Sequence, residues 1–461
     1  MNNKTLAKLI SPLVLLIFLL LVSGGLHGDD PDLEPLSLNL EQVRTLALLN
    51  SRSLARADLS VMNSLLNQRS HYFSMLPSLT MRYDAQVRYL NNDWELIEQP
   101  MDTLSSSLTI SLSHRLFDGG KNLILMEINA ISVQSARREA LAEYFNVIDS
   151  ADSAYYAVLE AAAALEAEES SLQTAIFSLS MAEIRQESGM INQGDYLRAL
   201  ADKEVRENSR NQARRNYALS STRLMSLTGL SVLPPLEEID LSVYEELILH
   251  LGSISDEEVD ILFQKLWQYI SVVNPSMARS ASNLLTAERN LSLTKRDFAP
   301  TITASIFSPS LNYSRLNGLS DSSGGGGVSI TGSIPIDFWN LNNRIERSQI
   351  SVDSAALDYI NAERSLEIDL YTLLFTIVGN SGSVLSSRRT LDHAEKHFEF
   401  VLERYRLLQS SISDLQEAST MLINSQNSHS RSLYGFLQNL SRLRSMGLIE
   451  EEEFLFAILM G

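Results

Sequence analysis

The chain has 461 residues, 56 acidic and 37 basic, for a formal net charge of −19. A negative surplus of this size argues against nucleic acid and anionic membrane surfaces as partners. No cysteine occurs anywhere, which excludes a disulfide framework, a thiolate metal site, a thiol nucleophile and acylation at a signal cleavage site.

The chain opens with Lys4 and Lys8, an apolar run from Leu9 to Val22, then small residues and acid. That is the build of a secretory signal peptide over 1–28, with cleavage expected after Gly25 or Gly28. The run is too short to fill a hydrocarbon core of about 30 Å, and no later segment approaches 18 apolar residues. Membrane insertion is therefore expected to use strands.

From Leu38 to Phe73 the apolar spacing is helical, with Asn39 as candidate N-cap and Pro77 ending the segment. Two alternating runs follow across a polar loop, Asn91 to Asp102. The first sets Leu79, Met81, Tyr83 and Val87 against Arg82, Asp84 and Gln86. The second sets Leu108, Ile110 and Leu112 against Ser107, Thr109 and Ser111. Each is long enough to cross a bilayer at a tilt with an apolar outer and a polar inner face.

LFDGG then turns the chain into a proline-free stretch from Lys121 to Glu187. Its seam runs Leu141, Tyr144, Ile148, Ala151, Tyr155, Val158, Ala162, Leu165, Glu169, Leu172, Ile176, Leu179, in steps of three and four. Such a helix is about 100 Å long and cannot fold into a ball. It breaks around Gly189, and a return helix is expected from Asp195, read as its N-cap, to Leu227.

A link from Gly229 to Tyr269 carries Pro234, Pro235 and a run of acids, after which the plan repeats. Pro300 stands where Pro77 stood, and Ile302, Ile306, Val328, Ile330 and Ile334 mark two more strands around a glycine-rich loop. IDFWN replaces LFDGG. A second long helix spans about Asn342 to Leu407, and its return begins near Asp414. The halves align at a shift of 219 residues, matching Arg185 with Arg404 and Asp195 with Asp414. The expected organisation is a first repeat over 29–229, an equatorial linker over 230–270, a second repeat over 271–446 and a C-terminal equatorial segment over 447–461. The fold class is mostly α with β: duplicated coiled-coil helices plus four amphipathic strands. Four strands cannot close a barrel in lipid by themselves, so the barrel must be shared between copies.

These features together resemble the TolC-like outer membrane efflux protein family from about Leu38 to the C-terminus. The duplicated plan, the proline before each first strand, LFDGG and the tip RQESGMINQGDYL carry the resemblance. It implies a homotrimer, a twelve-stranded barrel in outer-membrane lipid and an α-helical tunnel across the periplasm. It also implies a periplasmic adaptor and an inner-membrane pump of the RND, ABC or MFS type as partners, for efflux or type I secretion.

Arg185, Gly189, Met190, Ile191 and Asp195 at the first tip, with Arg404 and Asp414 at the second, are the expected adaptor contacts. Leu408 stands at the second tip where the first has Gly189. Glu395, Glu399 and Glu403 stack on one helix face apart from the seam Leu391, Ala394, Phe398, Val401, Tyr405, Leu408, and are the expected acidic aperture. His393 and His397 have a chelating spacing without a third ligand, Gly324 to Gly327 lacks the residues of a phosphate loop, and no nucleophile elbow occurs. No enzyme activity and no cofactor are expected. The alternative is a periplasmic or surface coiled-coil protein without a channel.

Overall fold

A computed structural model describes residues 37–87, 104–309, 311–314, 318–320 and 326–460. The signal segment and the polar loop Asn91 to Asp102 lie outside the described residues.

The first repeat opens with α1 (Leu40–Asn50), capped as expected by Asn39, whose side chain and that of Gln42 form a reciprocal capping box. The single helix expected up to Phe73 is two. Ser51 takes an extended backbone and its hydroxyl accepts from the Leu54 N–H, so it caps a separate α2 (Arg52–Ser74). Strands β1 (Ser78–Val87) and β2 (Leu104–Phe117) then lead into α3 (Lys121–Glu187), which returns as α4 (Gln193–Thr228).

The link is more than a linker. It folds as α5 (Ser242–Leu251) and α6 (Asp256–Val273), so the expected boundary at 270 falls inside a helix. The reason is local: Ser255 and Glu258 make a full capping box, and Val259, Leu262, Phe263, Leu266 and Ile270 are buried on one side. The second repeat follows with α7 (Pro275–Lys295), β3 (Thr301–Phe307), β4 (Leu311–Ser314), β5 (Gly318–Ser320), β6 (Gly327–Ser333), α8 (Phe338–Arg406), α9 (Ile412–Gly447) and the terminal α10 (Glu452–Met460).

All strands belong to one antiparallel sheet in which β2 is central. It pairs β1 on one side and both β3 and β4 on the other; β3 pairs β6 and β4 pairs β5. The sheet is thus four strands wide, the last two each in two pieces, with β1 as one edge and β5 and β6 as the other. Register keeps the two chemistries apart. Leu79 lies opposite Leu112, Met81 opposite Ile110, Tyr83 opposite Leu108, and Ile306 opposite both Leu112 and Val328. On the other face Ser78 bonds Ser113 at 2.8 Å, Thr80 bonds Ser111 at 2.8 Å and Thr301 bonds Ser333 at 2.7 Å.

The main core lies at mid-length of the long helices. Val43, Tyr155, Leu224, Leu251, Leu266, Ile270, Leu370, Leu374 and Phe436 come from seven different helices and are at most 1% exposed. Burial on this scale contributes roughly 1.5–3 kcal/mol for each large side chain. The Tyr155 hydroxyl donates to the Glu237 carbonyl at 2.5 Å and burial pushes its pKa up to about 12, so the link is tied to α3. Beside it Asp152, fully buried, accepts two bonds from Arg44 and one from Ser441. Among the described residues α8 alone is long and apolar enough, by length and composition, to cross a membrane, and its Leu366, Leu370, Leu373, Leu374 and Ile377 sit in this core.

The expected α3 seam holds through the core, where Ile148, Ala151, Tyr155 and Val158 are buried, and at Leu172. Leu141, Glu169 and Ile176 are exposed instead. Towards the tip the buried line passes to Ala167, Ser171, Ala175, Ser178 and Ala182. A straight helix drifts by about 20° per heptad against a 3.5-residue repeat, so one stripe cannot stay inward for 67 residues.

Candidate functional site: helix tips, acidic stripe and strand face

The two helical hairpins end in turns of the same geometry. At the first, Gly189 has φ 69°, its N–H donates to the Gln186 carbonyl at 2.9 Å, and the Met190 N–H donates to the Arg185 carbonyl at 2.7 Å. At the second, Leu408 has φ 65°, with the corresponding bonds from Leu408 to Tyr405 at 3.2 Å and from Gln409 to Arg404 at 2.8 Å. The second turn closes without glycine by holding a leucine in the left-handed region. Leu408 is 58% exposed and leaves the seam assigned to it, because the turn directs it outward.

The N-cap of the first return helix differs from expectation. Asn192, not Asp195, caps α4, its side chain accepting from the Asp195 N–H at 2.9 Å; Asp195 is the third residue of the first turn. Ser411 caps α9 in the same way, and Asp414 completes a capping box with the Ser411 N–H at 2.9 Å. That N–H, then the hydroxyls of Ser411 and Ser410, hold the Asp414 carboxyl below the usual aspartate range.

The expected contact residues separate into two kinds. Met190 is 67% exposed, whereas Ile191 is half-buried in a small apolar cluster with Ala182, Ala199, Val401, Tyr405 and Leu415. Arg185 is 7% exposed and faces inward. Its Nη2 donates to the Tyr405 carbonyl at 2.7 Å, its guanidinium lies 4.3 Å from the Tyr405 ring centroid, and the Tyr405 hydroxyl donates to the Ser178 carbonyl at 3.3 Å. Arg185 thus pins one tip to the other. Arg404, its counterpart, is exposed and serves only its own turn, donating to the Gln409 carbonyl at 3.0 Å. Side-chain bonds missed in the sequence also join the hairpins: Arg198 to Ser413, and Arg206 to Thr420 at 2.6 Å. Arg206 is also held on its own helix by Asp202, four residues away, at 3.3 Å.

Glu395, Glu399 and Glu403 are exposed on α8, while Ala394, Val401 and Tyr405 of the seam are buried. Glu403 pairs with Arg406 at 2.7 Å. His393 and His397 are exposed, and no cluster fit for a metal occurs among the described residues.

On the sheet, Leu79, Met81, Tyr83, Ile110, Leu112, Ile306, Val328, Ile330 and Ile334 are exposed and Leu108 and Ile302 half-buried. Ile334 follows β6 instead of lying within it. Val87 closes β1 opposite Leu104. Where sheet meets helices, Asp118 is buried and accepts from the Gly120 and Asn122 N–H groups at 2.9 and 2.8 Å. Gly119 is required there, since a Cβ would meet that of Ala299 at 2.1 Å. Asp297 bridges the roots of both long helices, taking Lys121 at 2.8 Å and Arg344 at 3.0 Å.

Residues 43–230 and 268–447 match the model of the family described as outer membrane efflux protein. No curated protein matches the chain in sequence. Among solved structures, the outer membrane protein VceC from Vibrio cholerae is similar at TM-score 0.70 and 17% identity, covering 88% of this chain and 96% of that one. The Campylobacter jejuni CmeC outer membrane channel is similar at 0.71 and 15%, covering 95% and 94%. The open Neisseria gonorrhoeae MtrE channel is similar at 0.62 and 17%, covering 88% of each chain.

Proposed function

The chain belongs to the outer membrane efflux protein family, an outer-membrane protein extending into the periplasm, and from that premise we propose that three copies form the exit duct of a tripartite efflux or type I secretion system. The observation that carries it is the sheet: four strands wide, apolar on one face and hydroxyl-lined on the other, with two edges that lipid would leave unsatisfied. Three copies supply twelve strands, and the same threefold arrangement makes a tunnel of the helical hairpins. Native mass in detergent tests this. A stable monomer that needs no detergent would sink it.

The tips are the adaptor contact. Met190 offers an exposed apolar side chain beside a turn fixed by Gly189, with the carboxylates of Asp195 and Asp414 at the starts of the return helices. Gly189→Pro or Asp195→Arg is expected to abolish export while leaving oligomer and membrane insertion intact. Unchanged export in both variants removes the tips from docking.

Glu395, Glu399 and Glu403 form rings of carboxylate at the periplasmic aperture, favouring cations and inviting block by polyvalent metal. Single-channel recording of Glu399→Gln with Glu403→Gln is expected to show lower cation selectivity and weaker block. Wild-type values for both would put the aperture elsewhere.

A further inference from the structure

We propose that neighbouring copies close on one another in the register that the two repeats of a single chain already use, with Arg56 of one copy paired to Asp358 of the next and β6 of one copy paired to β1 of the next, Gly332 opposite Tyr83. The proposal rests on the shared barrel proposed above and supplies its contacts residue by residue.

Equivalent positions are fixed by structure as well as by sequence. The N-caps Ser51 and Asn274, and the prolines Pro77 and Pro300, are each 223 residues apart, so α2 corresponds to α7 and β1 to β3. The left-handed residues Gly189 and Leu408 are 219 apart at the ends of unbroken helices, so α3 corresponds to α8 throughout. Ser113 and Ser333 lie opposite Ser78 and Thr301, which themselves correspond, so β2 matches β6 at a shift of 220.

Within the chain, α7 packs on its own α8 and also on α3 of the first repeat. Arg279 pairs with Glu139 at 3.1 Å and Arg289 with Glu127 at 2.9 Å across that second contact. The first repeat has no such predecessor in its own chain: α2 packs on α3, yet none of its residues is buried. Leu59, Met62 and Leu66 are more than half exposed on α2, and Ile350, Leu357 and Ile360 are exposed on α8. Each helix presents an apolar stripe that its own chain does not cover.

Transposing the internal contact brings the stripes together and keeps one of its two ion pairs, Arg289 becoming Leu66 of the apolar stripe. Arg279 becomes Arg56 and Glu139 becomes Asp358, so the ion pair recurs with its sign preserved. In the same antiparallel register Arg52 comes level with Glu363 and Arg69 with Glu346, three arginines meeting three acids that are all exposed. The strands agree. The pairing of Leu112 with Ile306 becomes Gly332 with Tyr83, and that of His114 with Ala304 becomes Ile334 with Met81. Apolar residues continue to face apolar residues across the joint, and an aromatic ring covers the one glycine in the row. A slip of one residue would set Met81 and Tyr83 against the hydroxyl-bearing face.

The natural absence of cysteine makes the test direct. Two double variants are made in the full chain, Arg56→Cys with Asp358→Cys and Met81→Cys with Ile334→Cys, and treated in detergent with a short bismaleimide. Both are expected to give covalent dimers and trimers on denaturing gels, and each single variant only monomer. Arg56→Cys with Arg388→Cys, on a part of α8 that faces Glu245 of the link, is expected to give none. In parallel, Arg56→Asp is expected to weaken the oligomer on native mass measurement and added Asp358→Arg to restore it. A native trimer whose two designed pairs yield only monomer overturns the register while leaving the shared barrel standing. A native monomer overturns both.

Discussion

The two helix tips share a backbone and differ in how they maintain it. Gly189 occupies the left-handed region at no steric cost, with nothing within 4 Å of the place its Cβ would take. Leu408 adopts the same φ at a cost of about 1–2 kcal/mol for an L-residue. The second tip offsets that cost with a capping box, Ser411 with Asp414, and with Ile412 and Leu415 buried behind it; the first tip has Asn192 alone. The turn therefore belongs to the duplicated hairpin plan, and glycine is one of two ways to hold it.

The largest effect is expected from the residue that joins the tips. Arg185→Ala removes a buried charge-assisted hydrogen bond and the cation over Tyr405, and should cost about 1.5–3 kcal/mol. Hydrogen exchange should then speed up at both tips together, whereas Arg404→Ala should affect only the second. Equal, local responses would mean the tips are independent.

Smaller effects should run in opposite directions at the paired turn positions. Leu408→Gly is expected to stabilise the second hairpin by roughly 1 kcal/mol, and Gly189→Ala to destabilise the first by a similar amount. Thermal unfolding of the detergent-solubilised protein reads both. The same sign at the two sites would show that something other than φ governs them.

The finest distinction is in pH. His429 on α9, its Nδ1 3.2 Å from the Ser387 hydroxyl, has its pKa lowered by burial and then by Arg388. A depressed histidine favours the folded state above its unfolded value of 6.5 and loses that contribution as pH falls through the folded value. The depressed carboxyl of Asp414 behaves likewise at lower pH, below the ordinary aspartate range. The second hairpin should therefore loosen before the first on acidification, seen as earlier exchange around 384–430, and His429→Gln should remove the earlier step.

Much of the architecture was legible because it is periodic. Strand alternation, the prolines at 77 and 300 and the shift of 219 give the elements in order, and Lys121 and Glu187 bound the first long helix as expected. What escaped depends on contacts between distant segments. Arg185 reads as an exposed tip residue because Tyr405, its partner, stands 220 positions away. Asp195 reads as a cap because aspartate favours that position, but Asn192 comes first and takes the extended backbone that a cap requires, as Ser411 does ahead of Asp414. The link 230–270 reads as acidic connection because its apolar residues make sense only against helices from both repeats.

The small residues that line the distal part of α3 bear on how force would travel along the molecule. From Tyr155, fixed at the core, to Gly189 is roughly 50 Å of helix at about 1.5 Å per residue. Over much of that span the buried residues are small, Ala167, Ser171, Ala175, Ser178 and Ala182, with Leu172 the one large apolar side chain among them. The hairpin is therefore a lever with a firm fulcrum and a smooth bearing. A swing of about 6° at the fulcrum carries the end of such an arm by about 5 Å, and the latches it must slip are polar: the buried guanidinium of Arg185, with Arg198 on Ser413 and Arg206 on Thr420.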